Sequence, residues 1–339
     1  MSERKSYITV LSVIACFCVV CMHVNRLEQT SFWDSSWACR VVIDGVCYFA
    51  VPVFFMISGA NLIDYRQRYD TRTFFRKRIN KVLIPFLFWS LLGVLYFYLT
   101  GQIDRITPIS LILDIFNTSY VNTYWFFLPL FMIYLVMPLF SSVEHKKEVF
   151  GLLIVSGILF NVILPQWAWT HGFYLHEQLR NPVTFGYVLY ILIGYYIDHY
   201  ELPVWGRVVI YAGGLIGLYF LTYGTLVSSA HAGMLFTFYK GYLGLPAIFY
   251  SSAVFLAAKQ GVKRMESSGR LRLFGTMAGA SFGVYLIHRG ILECVDHLLP
   301  LQGGRGEAWI LPETLLTFAL SICLVKGMQR LPLLRKLVP

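Results

Sequence analysis

Charge is what this sequence has least of. Asp, Glu, Lys and Arg make up 14% of its 339 residues, where a soluble domain carries about 25%. That scarcity, with 57% hydrophobic residues gathered in long runs, points to an integral membrane protein. Short stretches of alternating polarity are also missing, which excludes a membrane β-barrel. There is no internal repeat, low-complexity tract or soluble-domain linker, so residues 1–339 read as one membrane domain. No small-residue cleavage site follows the first apolar run, Tyr7 to Val24. Asn25, Arg26 and Leu27 follow instead, and the run reads as a retained span. The seven cysteines (Cys16, Cys18, Cys21, Cys39, Cys47, Cys294 and Cys323) lack metal-ligand spacing. Most fall in apolar runs, where cysteine packs as a small hydrophobe, and no metal is expected.

What is there is a series of apolar runs of helical length. Ten candidate spans lie at about 7–25, 46–64, 82–100, 121–141, 149–165, 183–198, 207–225, 236–258, 274–293 and 309–326. Each is near the ~20 residues that cross a bilayer. The fold class expected is all-α and polytopic. Of the 28 Lys and Arg residues, 21 fall on alternate loops and the two termini, five (Arg26, Arg40, Arg105, Arg180, Arg305) fall on the intervening loops, and Lys240 and Arg289 lie within spans. This asymmetry puts both termini in the cytoplasm. The net charge of +10 sits in short loops between spans, a topology pattern that speaks against a nucleic-acid partner.

Several residues could carry chemistry. His23 sits toward the outer end of the first span, where an ionisable group is costly unless it faces a cavity or a polar partner. An imidazole there can take a proton from a hydroxyl, or can simply bond a neighbouring helix. His288, in Ser281-Phe-Gly-Val-Tyr-Leu-Ile-His288, falls at similar depth in the ninth span. Arg289 and Glu293 have the spacing of a helical ion pair. Arg72, Arg76, Lys77, Arg78 and Lys81 form a basic loop, readable as a topology signal or as a surface that grips donor phosphates. Ser58, at the end of an apolar run, lies in no Gly-x-Ser-x-Gly elbow. Ser58, Trp125 and Tyr285 are candidates to line a cavity or meet an acceptor. Trp125, like Phe32, Trp33, Trp37, Trp167 and Trp169 in the outer loops, suits a sugar face and also an interfacial belt.

Taken together, Ile14-Ala15 with Val19-Val20 and His23, Val51-Pro-Val-Phe-Phe-Met-Ile-Ser-Gly59, Phe74-Phe-Arg-Lys-Arg78 with Lys81 and Pro85, Trp125-Phe-Phe with Tyr134 and Pro138, and Phe282-Gly-Val-Tyr-Leu-Ile-His288 resemble the acyltransferase-3 family of integral membrane O-acyltransferases. The small stand-alone form is similar to bacterial surface-polysaccharide O-acetyltransferases. The resemblance implies a multi-pass protein of the cell inner membrane. It implies acetyl-CoA as donor substrate, no permanently bound cofactor, and a surface glycan or lipid-linked sugar as acceptor. Membrane lipid is a further partner, and a homo-oligomer is left open. The family's first-span histidine, regarded as catalytic, matches His23. Two positions depart from the pattern: Ser12 stands where an arginine is common, and Thr123 where a histidine is frequent. Ser12 keeps open a competing class, a transporter of a small solute or glycan. A purely structural membrane partner is the third class. No paired, broken helices in matching halves favour an inverted-repeat transporter.

Overall fold

The computed structural model describes residues 5–32, 34–262, 270–299 and 306–339. Among them there are sixteen α-helices and no strand. They are α1 (Ser6–Asn25), α2 (Trp37–Cys47), α3 (Ala50–Leu62), α4 (Thr71–Arg78), α5 (Ile84–Leu99), α6 (Pro108–Phe116), α7 (Phe127–Ser141) and α8 (Lys146–Gly157). Then come α9 (Leu164–Thr170), α10 (Val188–His199), α11 (Val204–Tyr219), α12 (Thr225–Ala232), α13 (Leu245–Val262), α14 (Arg270–Ala278), α15 (Ser281–Leu298) and α16 (Ile310–Arg330). The all-α polytopic expectation holds. Leu91, Leu92 and Leu95 on α5, Leu152 and Val155 on α8, and Leu215 and Ile216 on α11 are all exposed. Apolar faces that wide suit lipid, since soluble monomers rarely expose them.

Among the described residues, seven helical stretches are long and apolar enough to cross a membrane. They are Ser6–Gln29, Trp37–Gln67, Thr71–Leu99, Asn122–Ser141, Lys146–Thr170, Val204–Ala232 and Glu307–Arg330. The other three expected spans are helices that depart from a simple crossing. At 183–198, Pro182 and Gly186 (φ +65) delay the helix to Val188. Its 12 residues then extend only about 18 Å. At 236–258, Gly241, Gly244 and Pro246 hold the start back to Leu245. At 274–293 the chain turns at Gly279-Ala280 between α14 and α15, and α15 carries Arg289, Glu293 and Asp296.

Proline also explains the breaks within spans. Pro52 cannot donate to Tyr48, and the helix parts between α2 and α3. Pro85 cannot donate to Lys81, and the ladder widens into a π turn over Ile79–Leu83.

Two glycines set the tightest crossing. A Cβ on Gly59 would lie 2.0 Å from the Ile191 carbonyl oxygen, and one on Gly194 would lie 2.2 Å from that of Met56. Helices α3 and α10 therefore pack backbone to backbone, as small residues allow in membranes.

Polar ties gather the chain's loops onto two faces. On one, Lys5 pairs with Asp198 at 2.6 Å, His199 with Asp64 at 3.3 Å and Lys146 with Asp64 at 3.7 Å. Lys259 Nζ donates to the Ile197 carbonyl at 2.7 Å. On the other, Arg26 pairs with Asp296 and Glu313, and Lys240 with Asp44. The first group joins the segments that the charge count assigns to the cytoplasm. Arg4, Arg305 and the basic residues at 263 and 264 lie outside the described residues.

Candidate active site

Helix α1 is packed by α2, α3, α13, α14, α15 and α16. It is apolar all round, as a buried helix must be. Its C-terminal end is fixed by three strong contacts. Arg26 caps it in the left-handed region (φ 49). Its Nη2 donates to both carboxylate oxygens of Asp296 at 2.7 Å and to Glu313 Oε1 at 2.9 Å. Asn25 Nδ2 donates to the Arg40 carbonyl at 2.8 Å, and the Arg40 guanidinium donates back to the Asn25 carbonyl. His23 sits one turn below this clamp.

The His23 ring meets that of His288, with centroids 5.1 Å apart and planes at 40°. The two histidines read at similar depth are brought together. His288 is fully buried. Its Nδ1 lies 2.7 Å from the Tyr285 carbonyl and 3.2 Å from that of Val284. Carbonyls only accept, so Nδ1 carries the proton and Nε2 keeps its lone pair. Nε2 is buried and has no partner among the described residues. An orphaned acceptor is costly in such a place, and His23 is the polar group beside it.

His23 opens into a cavity of about 710 Å³, within the roughly 300–1,000 Å³ of small-ligand pockets. Tyr285 and Arg289 line it near the histidines, and so does Trp125. Trp125 is positioned by a reciprocal latch. The Tyr124 hydroxyl donates to the Leu286 carbonyl, and the Tyr285 hydroxyl donates to the Thr123 carbonyl. This ties the turn Asn122–Phe126 to α15. Thr123 itself keeps a buried Oγ1 that has no partner among the described residues. Arg289 Nε stands 3.6 Å from Glu293, so the expected pair forms but is loose.

Other expected residues stay apart. Ser58 donates to the Phe54 carbonyl of its own helix at 2.9 Å and is not among the cavity's lining residues. The i−4 backbone carbonyl is the nearest acceptor for a helical serine, and Ser58 is engaged there. Ser12 is likewise buried and donates to Thr9 at 2.9 Å. Phe32, Trp37, Trp167 and Trp169 do not line the cavity, and Trp33 lies outside the described residues.

The basic loop does not reach the cavity either. Asp70 caps its helix α4, accepting from the Thr73 amide at 3.2 Å, and its carboxyl is held below the usual range by hydrogen bonds from Thr73. Arg72, Arg76, Lys77 and Lys81 are exposed, with Lys77 Nζ 3.7 Å above the Tyr69 ring. Arg78 differs from them. It is half-buried, its guanidinium lies 5.7 Å from the rings of both Phe74 and Tyr134, and its buried Nε has no partner among the described residues.

Sequence reading missed Asp44, Lys240, Tyr48, Tyr242 and Tyr187, which all line the same cavity. The available signal was Lys240 itself, since a charge inside an apolar stretch demands a partner. That partner, Asp44, is too distant in the chain for spacing to suggest.

A family model described as an acyltransferase domain matches residues 5–326. No curated protein and no solved structure matches the chain.

Proposed function

Because the chain belongs to the acyltransferase-3 family and is a multi-pass membrane acyltransferase, we propose that it moves an acetyl group from cytoplasmic acetyl-CoA to a hydroxyl of a cell-surface glycan or its lipid-linked precursor. The observation that carries this reading is the His23–His288 contact at a polar, aromatic cavity. In the reaction, His23 takes the proton of the acceptor hydroxyl as its oxygen attacks the thioester carbonyl carbon. The tetrahedral adduct collapses, the carbon–sulfur bond breaks, and the imidazolium proton passes to the leaving thiolate. His288, with its proton fixed on Nδ1, offers Nε2 to an N–H of His23. That leaves the other His23 nitrogen as the base.

The donor comes from the opposite face, where the basic loop supplies phosphate contacts. Arg78 is the best placed of the five residues. It faces inward with unused donor capacity, while the other four face solvent. The chain resides in the inner membrane with both termini in the cytoplasm.

Mass spectrometry of surface glycans from cells with and without the gene tests the reading. Loss of an acetyl group on deletion supports it. Unchanged acetylation with loss of solute uptake would replace it with the transporter reading.

A further inference from the structure

We infer that Asp44, Lys240, Tyr48 and Tyr242 form, with Trp125, a pyranose subsite that selects the acceptor by a pair of neighbouring hydroxyls. The inference rests on the cavity being the acceptor's chamber. Three features of the cavity lead to it.

The first is a ladder of rings. Tyr48 and Tyr242 stack with centroids 4.4 Å apart, Tyr242 and Trp125 at 5.7 Å, and Trp125 and Tyr187 at 5.8 Å. Aromatic rings carry an apolar face and, in tyrosine, a polar tip. A sugar's C–H face suits the first and its hydroxyls the second.

The second is the ion pair of Lys240 with Asp44. The lysine side chain is only 5% exposed. Lys240 also lies 5.5 Å from the Tyr48 ring centre, and its carbonyl accepts from the Tyr48 hydroxyl. The pair occupies Asp44 Oδ2. Oδ1 has no protein donor among the described residues. A carboxylate oxygen beside an ammonium can accept from one hydroxyl while the ammonium donates to the next. A buried ion pair contributes little net stability against well-packed apolar residues, so packing alone does not explain it.

The third is unused polar capacity and strain at the cavity wall. Thr123 Oγ1 is buried and has no partner among the described residues. Thr118, also lining the cavity, has φ 52, a genuine outlier for a β-branched residue. Such backbone strain concentrates at ligand sites.

Charge decides between a sugar and the donor's own nucleotide. Rings would stack on an adenine as well, but phosphates need free cations. Of the three cations lining the cavity, Lys240 is matched by Asp44, Arg26 by Asp296 and Glu313, and Arg289 by Glu293 at 3.6 Å. A neutral polyhydroxyl ring fits that balance, and a polyanion does not.

The test uses the full chain in detergent, without acyl-CoA, and reads quenching of tryptophan fluorescence. The probes are the methyl glycosides of glucose, galactose, mannose and N-acetylglucosamine. At least one should quench saturably. Its 2-, 3- or 4-deoxy analogue should bind roughly tenfold more weakly, the usual penalty for a lost charge-assisted hydrogen bond. The double variant Asp44→Asn/Lys240→Met, which avoids a lone buried charge, and the milder Tyr242→Leu should each weaken binding by a similar factor while eluting as wild type. No quenching by any of the four probes, or equal binding by all deoxy analogues, overturns the subsite. Unchanged binding in both folded variants does so too. Because no acyl transfer is read, sugar binding without acetylation would sink the proposed reaction and leave the subsite standing.

Discussion

Replacing Gly59 with Ala should destabilise this protein more than its size suggests. The new Cβ would lie 2.0 Å from the Ile191 carbonyl oxygen and 2.7 Å from its carbon. Real Cβ contacts do not fall below 3.0 Å, so α3 and α10 must part by about an ångström. Both obstacles are backbone, and no side chain can rotate away. Overpacking of this kind costs about 1–3 kcal/mol, and a backbone clash belongs at the upper end. With ~2 °C of melting temperature per kcal/mol in a chain of this size, the drop should be about 5 °C. The cavity should feel it as well, because Val51 on α3 and Tyr187 just before α10 both line it. The control is Gly290→Ala on α15. A Cβ there meets nothing within 4 Å, and alanine gains about 1 kcal/mol of helix propensity over glycine. That variant should melt a degree or two higher. Melting is followed by tryptophan fluorescence in detergent. A Gly59→Ala protein that melts at or above the wild type would refute the close-packing argument, because the same substitution would then have the same sign at an open and a closed site.

Three further outcomes are expected. Arg78→Ala should raise the KM for acetyl-CoA severalfold, and Lys77→Ala much less, since only Arg78 is turned inward with an unused donor; equal effects in steady-state kinetics would make the loop a topology signal. Arg26→Met should lower kcat while leaving the KM for the donor unchanged, because it loosens the end of α1 one turn above His23; a change confined to donor KM would contradict that role. Reporters fused to either terminus should be active only in the cytoplasm, and an externally active C-terminal reporter would refute the orientation.

The helical class and the two key histidines were legible in the sequence because each has a local signature. An apolar run of ~20 residues announces a span, and an imidazole within it announces a cost that something must offset. What spacing could not supply was contact between distant segments. His23 and His288 read at similar depth, but nothing in the chain says that their rings touch. Lys240 was visible as a charge in an apolar run, yet it lies in the loop before α13 and its partner Asp44 lies far off in the chain on α2. The Arg72–Lys81 cluster was plain, while the inward turn of Arg78 depends on where Phe74 and Tyr134 pack. The three shortened or charged spans hinge on Pro182, Gly186, Gly241, Gly244 and the turn at Gly279. Window hydropathy averages over residues of this kind, although their φ freedom or missing amide decides where a helix can start.

The central claim is that His23 moves the acceptor's proton, and one substitution tests it most directly. His23→Gln keeps hydrogen bonding beside His288 but cannot serve as a base. Purified wild type and variant are given labelled acetyl-CoA and the acceptor glycan, with insertion and melting checked in parallel. Loss of a general base costs about 10²–10⁴-fold in rate, so the variant should fold, insert and transfer acetyl at no more than about a hundredth of the wild-type rate. A His23→Gln protein that transfers acetyl at a rate close to wild type would contradict the account and move the base assignment to His288.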